Sequence, residues 1–299
     1  MSRSTPKIWA VLLAGLIVLA GCASPTEQEI FVQGGQFTPG NDGLYPEERR
    51  GSAVNVGSFY IDATEVTNRH FAAFVEATGY VTLAERGFAG DARVPVAQQV
   101  PGSAVFYLPA SGKPTGWAFT PGANWRHPDG PGSSIDGRED EPVVQIAYAD
   151  ALAYARWRGR DLPTEAEWEW AAGRGSSVPG RERPIVDGKP SGNNWDGFFP
   201  RLNSAADGFA GRAPVASFKA DAYGLYDMTG NVWEWTKSSW SQSHEPISGA
   251  DPAAHVVKGG SYLCAQNFCA RYRPQSRQRM EDDLGTNHIG FRTIRRVAG

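Results

Sequence analysis

The 299-residue chain carries a net charge of −3, is 41% hydrophobic and 11% aromatic, and holds 35 glycines, 21 prolines and three cysteines. Its glycine and proline share falls short of what marks disorder, and aromatic side chains bury large areas, so the composition implies a compact, loop-rich globule. There is no basic excess, and Arg138 in GREDE is flanked by acids, so nucleic acid is not an expected partner: phosphate backbones need clustered cations.

The N-terminus sets the compartment. Residues 1–7 carry Arg3 and Lys7 and no acid, Ile8 to Ala20 form an apolar run, and LAGC ends on Cys22. This pattern predicts a cleaved secretory leader over 1–21, since the run falls short of the roughly 20 residues that span a bilayer as a helix. LAGC resembles the lipobox of bacterial lipoproteins, whose cysteine is acylated and becomes the first mature residue. An ordinary secretory signal cleaved nearby is the alternative. Cys22 is thus expected to be a lipid anchor without a catalytic part, and residues 22–29 a polar tether. The mature protein is expected to be exported and membrane-anchored on the periplasmic or extracytoplasmic side, with residues 30–299 as a single domain. Loss of Arg3 and Lys7 makes the mature chain more acidic.

Along that domain, FVQGGQFTPG and VGSFYIDATEVT carry β-branched and aromatic residues bounded by Gly and Pro, and the second alternates around Phe59 and Ile61. Both predict short strands. VTNRHFAAFVEATG places Phe71, Phe74 and Val75 at helical spacing, with Thr67 as N-cap and Gly79 as stop. VQIAYADALAYARWRG predicts a second helix with Tyr148, Leu152 and Ala155 inward and Gly159 past its end. LPTEAEWEWAAGRG predicts a third, with a capping box between Thr164 and Glu167 behind Pro163. Residues 86–125 and 174–222 lack a period and read as long loops held by function or by metal. The pattern supports an α+β, loop-rich class.

Two groups of oxygen-bearing residues sit among glycine turns: Asn193, Asn194, Asp196, Asn203 and Asp207, then Asp227, Asn231 and Glu234 around Gly230. Calcium takes six to eight such oxygens, but neither group has EF-hand spacing, and turn capping is the alternative. SYLCAQNFCARYR holds Cys264 and Cys269. A structural disulfide is the common fate of exported thiols, yet one closing so small a loop constrains the unfolded chain little. Two thiolates without a nearby imidazole suit Cu(I) better than zinc, and a redox-active dithiol is the third reading. Arg271 and Arg273 are cations that would favour a thiolate, and Ser261 offers a hydroxyl upstream.

The blocks GANWRHPDGPGSSIDGREDEPVV, GRDLPTEAEWEWAAGRG, YGLYDMTGNVWEWT, VVKGGSYLCAQNFCARYR and HIGFR resemble the formylglycine-generating enzyme family, also called sulfatase-modifying factors. The resemblance runs from about residue 30 to 297. GNVWEW occurs throughout the wider superfamily, including non-catalytic members and iron enzymes, whereas the cysteine pair resembles that of true formylglycine generators. The resemblance implies an irregular mixed fold of the formylglycine-generating enzyme and C-type-lectin-like superfamily, with little regular secondary structure. It implies Cu(I) held by Cys264 and Cys269, with Ser261 near an oxygen pocket. An unfolded sulfatase segment, of Cys-x-Pro-x-Arg type, supplies a third sulfur, and O2 is co-substrate in forming the aldehyde formylglycine. It also implies two structural Ca2+ sites. One is Asn193 by side chain, Asn194 by carbonyl, Asp207 by side chain and Phe209 by carbonyl; the other is Asp227, Gly230, Val232 and Glu234, with carbonyls from Gly230 and Val232.

The chain departs from the family at SSVPGRERPIVDGKPS, where a Trp-Gly-acid stretch is usual, and at Glu281, Asp282 and Asp283, where Thr-Pro-Asp is usual. His288 is expected to be a structural hydrogen-bonder before a catalytic base, and Trp233 and Trp235 to be core. The protein is expected to be monomeric. Two rivals to the oxidase remain: a non-catalytic lipoprotein that binds peptide or glycan, and a thiol–disulfide partner protein.

Overall fold

The computed structural model describes residues 28–297 except 41–42, 91, 93, 174–184, 187 and 245–250. The expected leader, Cys22 and most of the tether lie outside the described residues, as does much of the divergent stretch 176–191. No described helix is long and apolar enough to cross a membrane.

The first strand, β1 (Glu29–Val32), starts on the last residue of the expected tether. β2 (Gly35–Phe37) pairs antiparallel with β3 (Val54–Val56), and β4 (Phe59–Asp62) pairs with β1. In β4 the side chains of Phe59 and Ile61 are fully buried while Tyr60 and Asp62 are half-buried, the alternation read from the sequence. Thr67 then caps α1 (Asn68–Thr78), its Oγ1 accepting from His70 N at 3.3 Å, and Gly79 ends it at φ 67. A one-turn helix that periodicity is too short to show, α2 (Leu83–Arg86), is closed by a capping box of Thr82 and Glu85.

The expected loop over 86–125 contains a hairpin. β5 (Gly102–Tyr107) pairs with β6 (Gly116–Pro121) in register from Gly102 opposite Pro121 to Tyr107 opposite Gly116. Val105 and Tyr107 are buried on one face of β5 and Phe106 is half-buried on the other, an alternation masked in the sequence by flanking Gly and Pro.

In α3 (Tyr148–Trp157) the buried face is Ala151, Tyr154 and Ala155, with Tyr148 and Leu152 half-buried at its margin, so the expected face is rotated. The rotation follows from Asp150, whose carboxylate is buried to accept from Ala147 N, Leu83 N and Tyr80 Oη. α4 (Glu165–Gly173) starts on the expected capping box: Thr164 N donates to Glu167 Oε2 at 2.7 Å and Glu167 N to Thr164 Oγ1 at 3.2 Å.

Within 174–222 the described regular structure is a two-residue hairpin, β7 (Ile185–Val186) with β8 (Lys189–Pro190). The C-terminal sheet has β9 (Trp233–Trp240), β10 (Asp251–Lys258), β11 (Gln278–Glu281) and β12 (Ile289–Gly290) in the order β11-β10-β9-β12, with β12 parallel to β9. The last strand, β13 (Ile294–Arg296), returns to β4, so the first and last strands of the domain flank one partner.

The main core gathers Phe71, Phe74, Trp125, Tyr154, Trp233, Trp235 and Phe291 from both halves of the chain, and Cys264 lies in it. Trp233 and Trp235 are buried as expected, and Trp235 Nε1 donates to Ile146 O at 2.8 Å, which removes the cost of burying its N–H. Each fully buried aromatic stabilises the fold by ~1.5–3 kcal/mol. That anchors irregular loops which make few backbone ladders of their own.

Candidate active site

β10 ends at Lys258, and Gly259 and Gly260 turn the chain at φ 93 and 77. A Cβ on Gly260 would lie 2.8 Å from Arg271 O, so only glycine lets the outgoing chain pass the returning one. Ala265 and Phe268 then exchange backbone hydrogen bonds of 2.8 and 3.1 Å, closing a tight loop whose flanks are the two cysteines. Their Sγ atoms stand 3.1 Å apart. A disulfide bond is about 2.05 Å, so both thiols are free. Ser261 Oγ is 4.0 Å from Cys264 Sγ, and the structure thus brings together the three residues named from sequence.

The two sulfurs are electrically unlike. Burial, together with Cys269 as neighbour, pushes the Cys264 thiol well above its ordinary range. The bond from Cys264 holds Cys269 below its ordinary range, helped by the Arg271 guanidinium. One S–H therefore donates to one incipient thiolate. Arg273 plays no such part. It is fully buried, with Nη2 on Glu48 Oε1 at 2.6 Å, so of the two arginines only Arg271 acts on the thiols.

Above the pair opens a cavity of about 640 Å³. One wall is aromatic: Phe199 stacks on Phe268 at 4.5 Å, and Phe106 packs against Phe199 and Trp117 at 5.4 and 5.2 Å. Trp117 and Phe268 are about half exposed, so this wall faces solvent and is free to take an apolar chain segment. Two of these rings come from the β5–β6 hairpin, which sequence reasoning read as loop; the alternation through Ala104 and Phe106 is the signal that was there.

The other wall is charged. Glu281 lines it beside Arg279, to which it is paired, while Asp282 turns away to His255 Nδ1 at 2.6 Å. Of the acidic departure block, Glu281 faces the cavity. His288 also lines it, tilted against Trp117 with ring centres 4.7 Å apart and with Nδ1 2.6 Å from Thr286 Oγ1. Burial, and then the Arg212 charge, pull its pKa down to about 3, so it is neutral and hydrogen-bonding. Trp233, named as core, forms part of the cavity lining as well.

The first candidate calcium loop is assembled around Asp207. Its Oδ2 accepts from Asn194 N at 3.2 Å and its Oδ1 from Phe209 N at 3.0 Å. The Asn193 side chain reaches across to Asn231 Oδ1 at 3.1 Å, and a Cβ on Gly230 would fall onto the Asn193 carbonyl oxygen. The two candidate loops are thus packed into one unit at Gly230. Asp196 and Asn203 instead build turns: Asp196 N donates to Asn203 Oδ1 and Ala206 N to Asp196 Oδ2.

The second candidate site gains a residue that the sequence did not single out. Glu65 Oε2 and Asp227 Oδ1 are buried with no donor from any other residue, and the two carboxyls face each other closely enough to share a proton. Burial, then the facing Asp227, pushes the Glu65 carboxyl well above the ordinary range, and burial pushes Asp227 up to about 6. Glu234 is fully buried beside them, but its oxygens accept from Arg292 Nε and Nη2, each at 2.7 Å, and from Trp168 Nε1 at 2.7 Å. Three buried carboxylates thus face one guanidinium. The uncompensated oxygens of Glu65 and Asp227 suit a hard divalent cation, and Glu234 is bound chiefly to Arg292. Glu65 stands 162 positions before Asp227 in the sequence, within DATEVT, where Asp62 and two threonines surround it and no local pattern singles it out.

A further group, Glu165, Glu169 and His244, lies close enough to hold an ion. Its carboxylates already have cations: Arg277 donates twice to Glu165 at 2.8 Å, and Lys258 Nζ lies 2.9 Å from Glu169. Burial would raise Glu169, but Lys258 and His244 more than offset it and bring it to about 2. Charge balance makes this an ion-pair network rather than a metal centre.

The sequence profile of the sulfatase-modifying factor enzyme 1-like domain matches residues 18–297. The chain belongs to this family. It is 43% identical to the formylglycine-generating enzyme of Mycobacterium tuberculosis, over 87% of this chain and 95% of that one. It is 37% identical to the formylglycine-generating enzyme of Bos taurus, over 92% of this chain and 76% of that one. Among solved structures, PvdO from Pseudomonas aeruginosa superposes with a TM-score of 0.61 at 24% identity, covering 90% and 94% of the two chains. That likeness shows the fold, a mixed, loop-rich member of the formylglycine-generating enzyme and C-type-lectin-like class. A bovine protein named inactive C-alpha-formylglycine-generating enzyme 2 is also 36% identical, over 89% of this chain. Within this family, then, the thiol pair and its cavity are the features that bear on activity.

Proposed function

We propose that the protein oxidises a cysteine of an unfolded sulfatase segment, of Cys-x-Pro-x-Arg type, to formylglycine, using copper and O2. The observation that carries this reading is the pair of free thiols 3.1 Å apart beneath a half-aromatic cavity. The donor set fits: two soft sulfurs, one already inclined to thiolate, with Ser261 as the nearest hydroxyl. Cys264 and Cys269 would hold Cu(I), which with O2 supplies the oxidising chemistry that removes a hydrogen from the substrate β-carbon.

This chain's own residues do the rest. The walls formed by Phe106, Trp117, Phe199 and Phe268 grip an extended client and exclude water from the thiols. Neutral His288 holds Trp117 in place without adding a charge, and Ser261 Oγ stands ready to orient a small polar ligand beside Cys264. Ca2+ bound through Asn193, Asn194, Asp207 and Phe209, and through Asp227, Gly230, Val232 and Glu234 with Glu65, would fix the loops behind the cysteine turn. Acylation of Cys22 would place the enzyme, as a monomer, on the extracytoplasmic side, where clients are met before folding.

The test is O2 uptake by the detergent-solubilised full chain, loaded with Cu(I) and Ca2+, on adding a Cys-x-Pro-x-Arg peptide. Uptake that needs the peptide and is lost in both Cys264→Ala and Cys269→Ala supports the oxidase. Exchange with small thiols and no uptake would instead establish the thiol–disulfide reading, which the same sulfur pair favours.

A further inference from the structure

The cysteine loop is gripped from a distance of more than two hundred residues. A strap over residues 43–51, with a short 3-10 turn at Pro46–Glu48, crosses it and is tied down at Gly51 N, which donates to Pro39 O at 3.0 Å. Tyr45 Oη accepts from Ala270 N, the residue after Cys269, at 3.1 Å. The Arg271 guanidinium carbon lies over the Tyr45 ring, 3.8 Å from its centre. Glu47 Oε1 accepts from Arg271 Nε and Nη2 at 3.1 and 2.6 Å. Between these fixed points Cys269 holds a left-handed backbone at φ 53, uncommon for a residue with a Cβ, and Arg271 N donates back to Cys269 O at 2.7 Å.

That backbone decides where the thiol points. Relaxation of Cys269 out of the left-handed region would swing its Cα–Cβ bond, and with it the Sγ, away from Cys264. The adjoining pair, Glu48 with Arg273, is fully buried and also ties Ser276, so it holds the strap to the core. Glu47 and Arg271 instead line the cavity. The strap therefore has a structural side and a side turned to the thiols.

We propose that Tyr45 and Glu47 are positioning residues that, through Ala270 and Arg271, hold Cys269 in its left-handed conformation so that the two sulfurs form one soft-metal site. This rests on the copper reading of the pair. Its ligand class is a soft monovalent cation, and its readout does not require turnover.

The experiment measures Cu(I) affinity of the full chain by competition with a chromogenic chelator, for wild type, Tyr45→Phe and Glu47→Gln, alongside kcat and KM for the peptide. Tyr45→Phe keeps the ring under Arg271 and removes only the acceptor, so it preserves packing; near-UV circular dichroism verifies this. The expected result is a loss of about 10- to 100-fold in Cu(I) affinity in each variant, with kcat reduced and KM within about twofold. Affinity and kcat unchanged in both variants would overturn the proposal. So would a rise in KM alone, which would make Glu47 a substrate contact, or a loss confined to samples with lost tertiary signal. Wild type that binds Cu(I) without converting peptide would sink the proposed function and leave the affinity comparison to decide the strap.

Discussion

At the scale of single residues, the chemistry was legible where it is local and hidden where it is long-range. Cys264, Cys269 and Ser261 lie within nine positions, and a loop that short brings them together almost whatever surrounds it. Arg271 and Arg273 looked equivalent two residues apart, and only the partners Glu47 and Glu48 distinguish them. Glu65 was invisible because its meaning comes from Asp227 across the fold. These two carboxyls make a pH prediction. Without an ion they stay protonated in the fold at pH values where the unfolded chain has released those protons, so the native state binds more protons and stability falls as pH rises from about 4 through about 6. Calcium replaces the protons, so its stabilisation should grow across the same window. Melting curves in chelator and in calcium, at about pH 5 and about pH 7.5, should show a wider gap at the higher pH, and Asp227→Asn should shrink that gap. An equal gap at both pH values would remove these carboxylates from the calcium site.

At the scale of elements, the three helices were legible through their caps: Thr67, Thr164 and the glycines Gly79 and Gly159 mark ends whatever the tertiary context. The β5–β6 hairpin was not, since its strands are six residues each and are set among turn formers that dominate any window. It nonetheless supplies two of the four rings in the aromatic wall of the cavity, Phe106 and Trp117. Trp117 stands half exposed on β6 against Phe106 and His288, so truncating it should cost substrate grip more than fold. Trp117→Ala is expected to raise KM about tenfold, equivalent to ~1.4 kcal/mol, with kcat less affected and the melting temperature nearly constant. Steady-state kinetics on the peptide verifies this; a collapse of kcat at constant KM would instead place Trp117 in the chemical step.

At the scale of the whole molecule, the site is built by bringing early and late segments of the described residues together. β1 and β13 share β4, the strap at 43–51 grips the loop at 264–273, and Glu65 meets Asp227 and Glu234. Periodicity alone reached α+β and loop-rich; the motif blocks carried the family, which the matched profile and the 43% identical relative establish. The chain-wide organisation was legible only by resemblance because the ties that close it are single side-chain bonds between distant residues, and these leave no pattern within any window. On the proposed function, the paired thiols turn a client cysteine into an aldehyde. The most direct test is mass spectrometry of a Cys-x-Pro-x-Arg peptide incubated with O2 and the full chain loaded with Cu(I) and Ca2+. The expected result is replacement of the CH2–SH group by CHO, abolished in Cys264→Ala and in Cys269→Ala. An unmodified peptide in the presence of enzyme with confirmed copper occupancy, or conversion that persists in either variant, would contradict it.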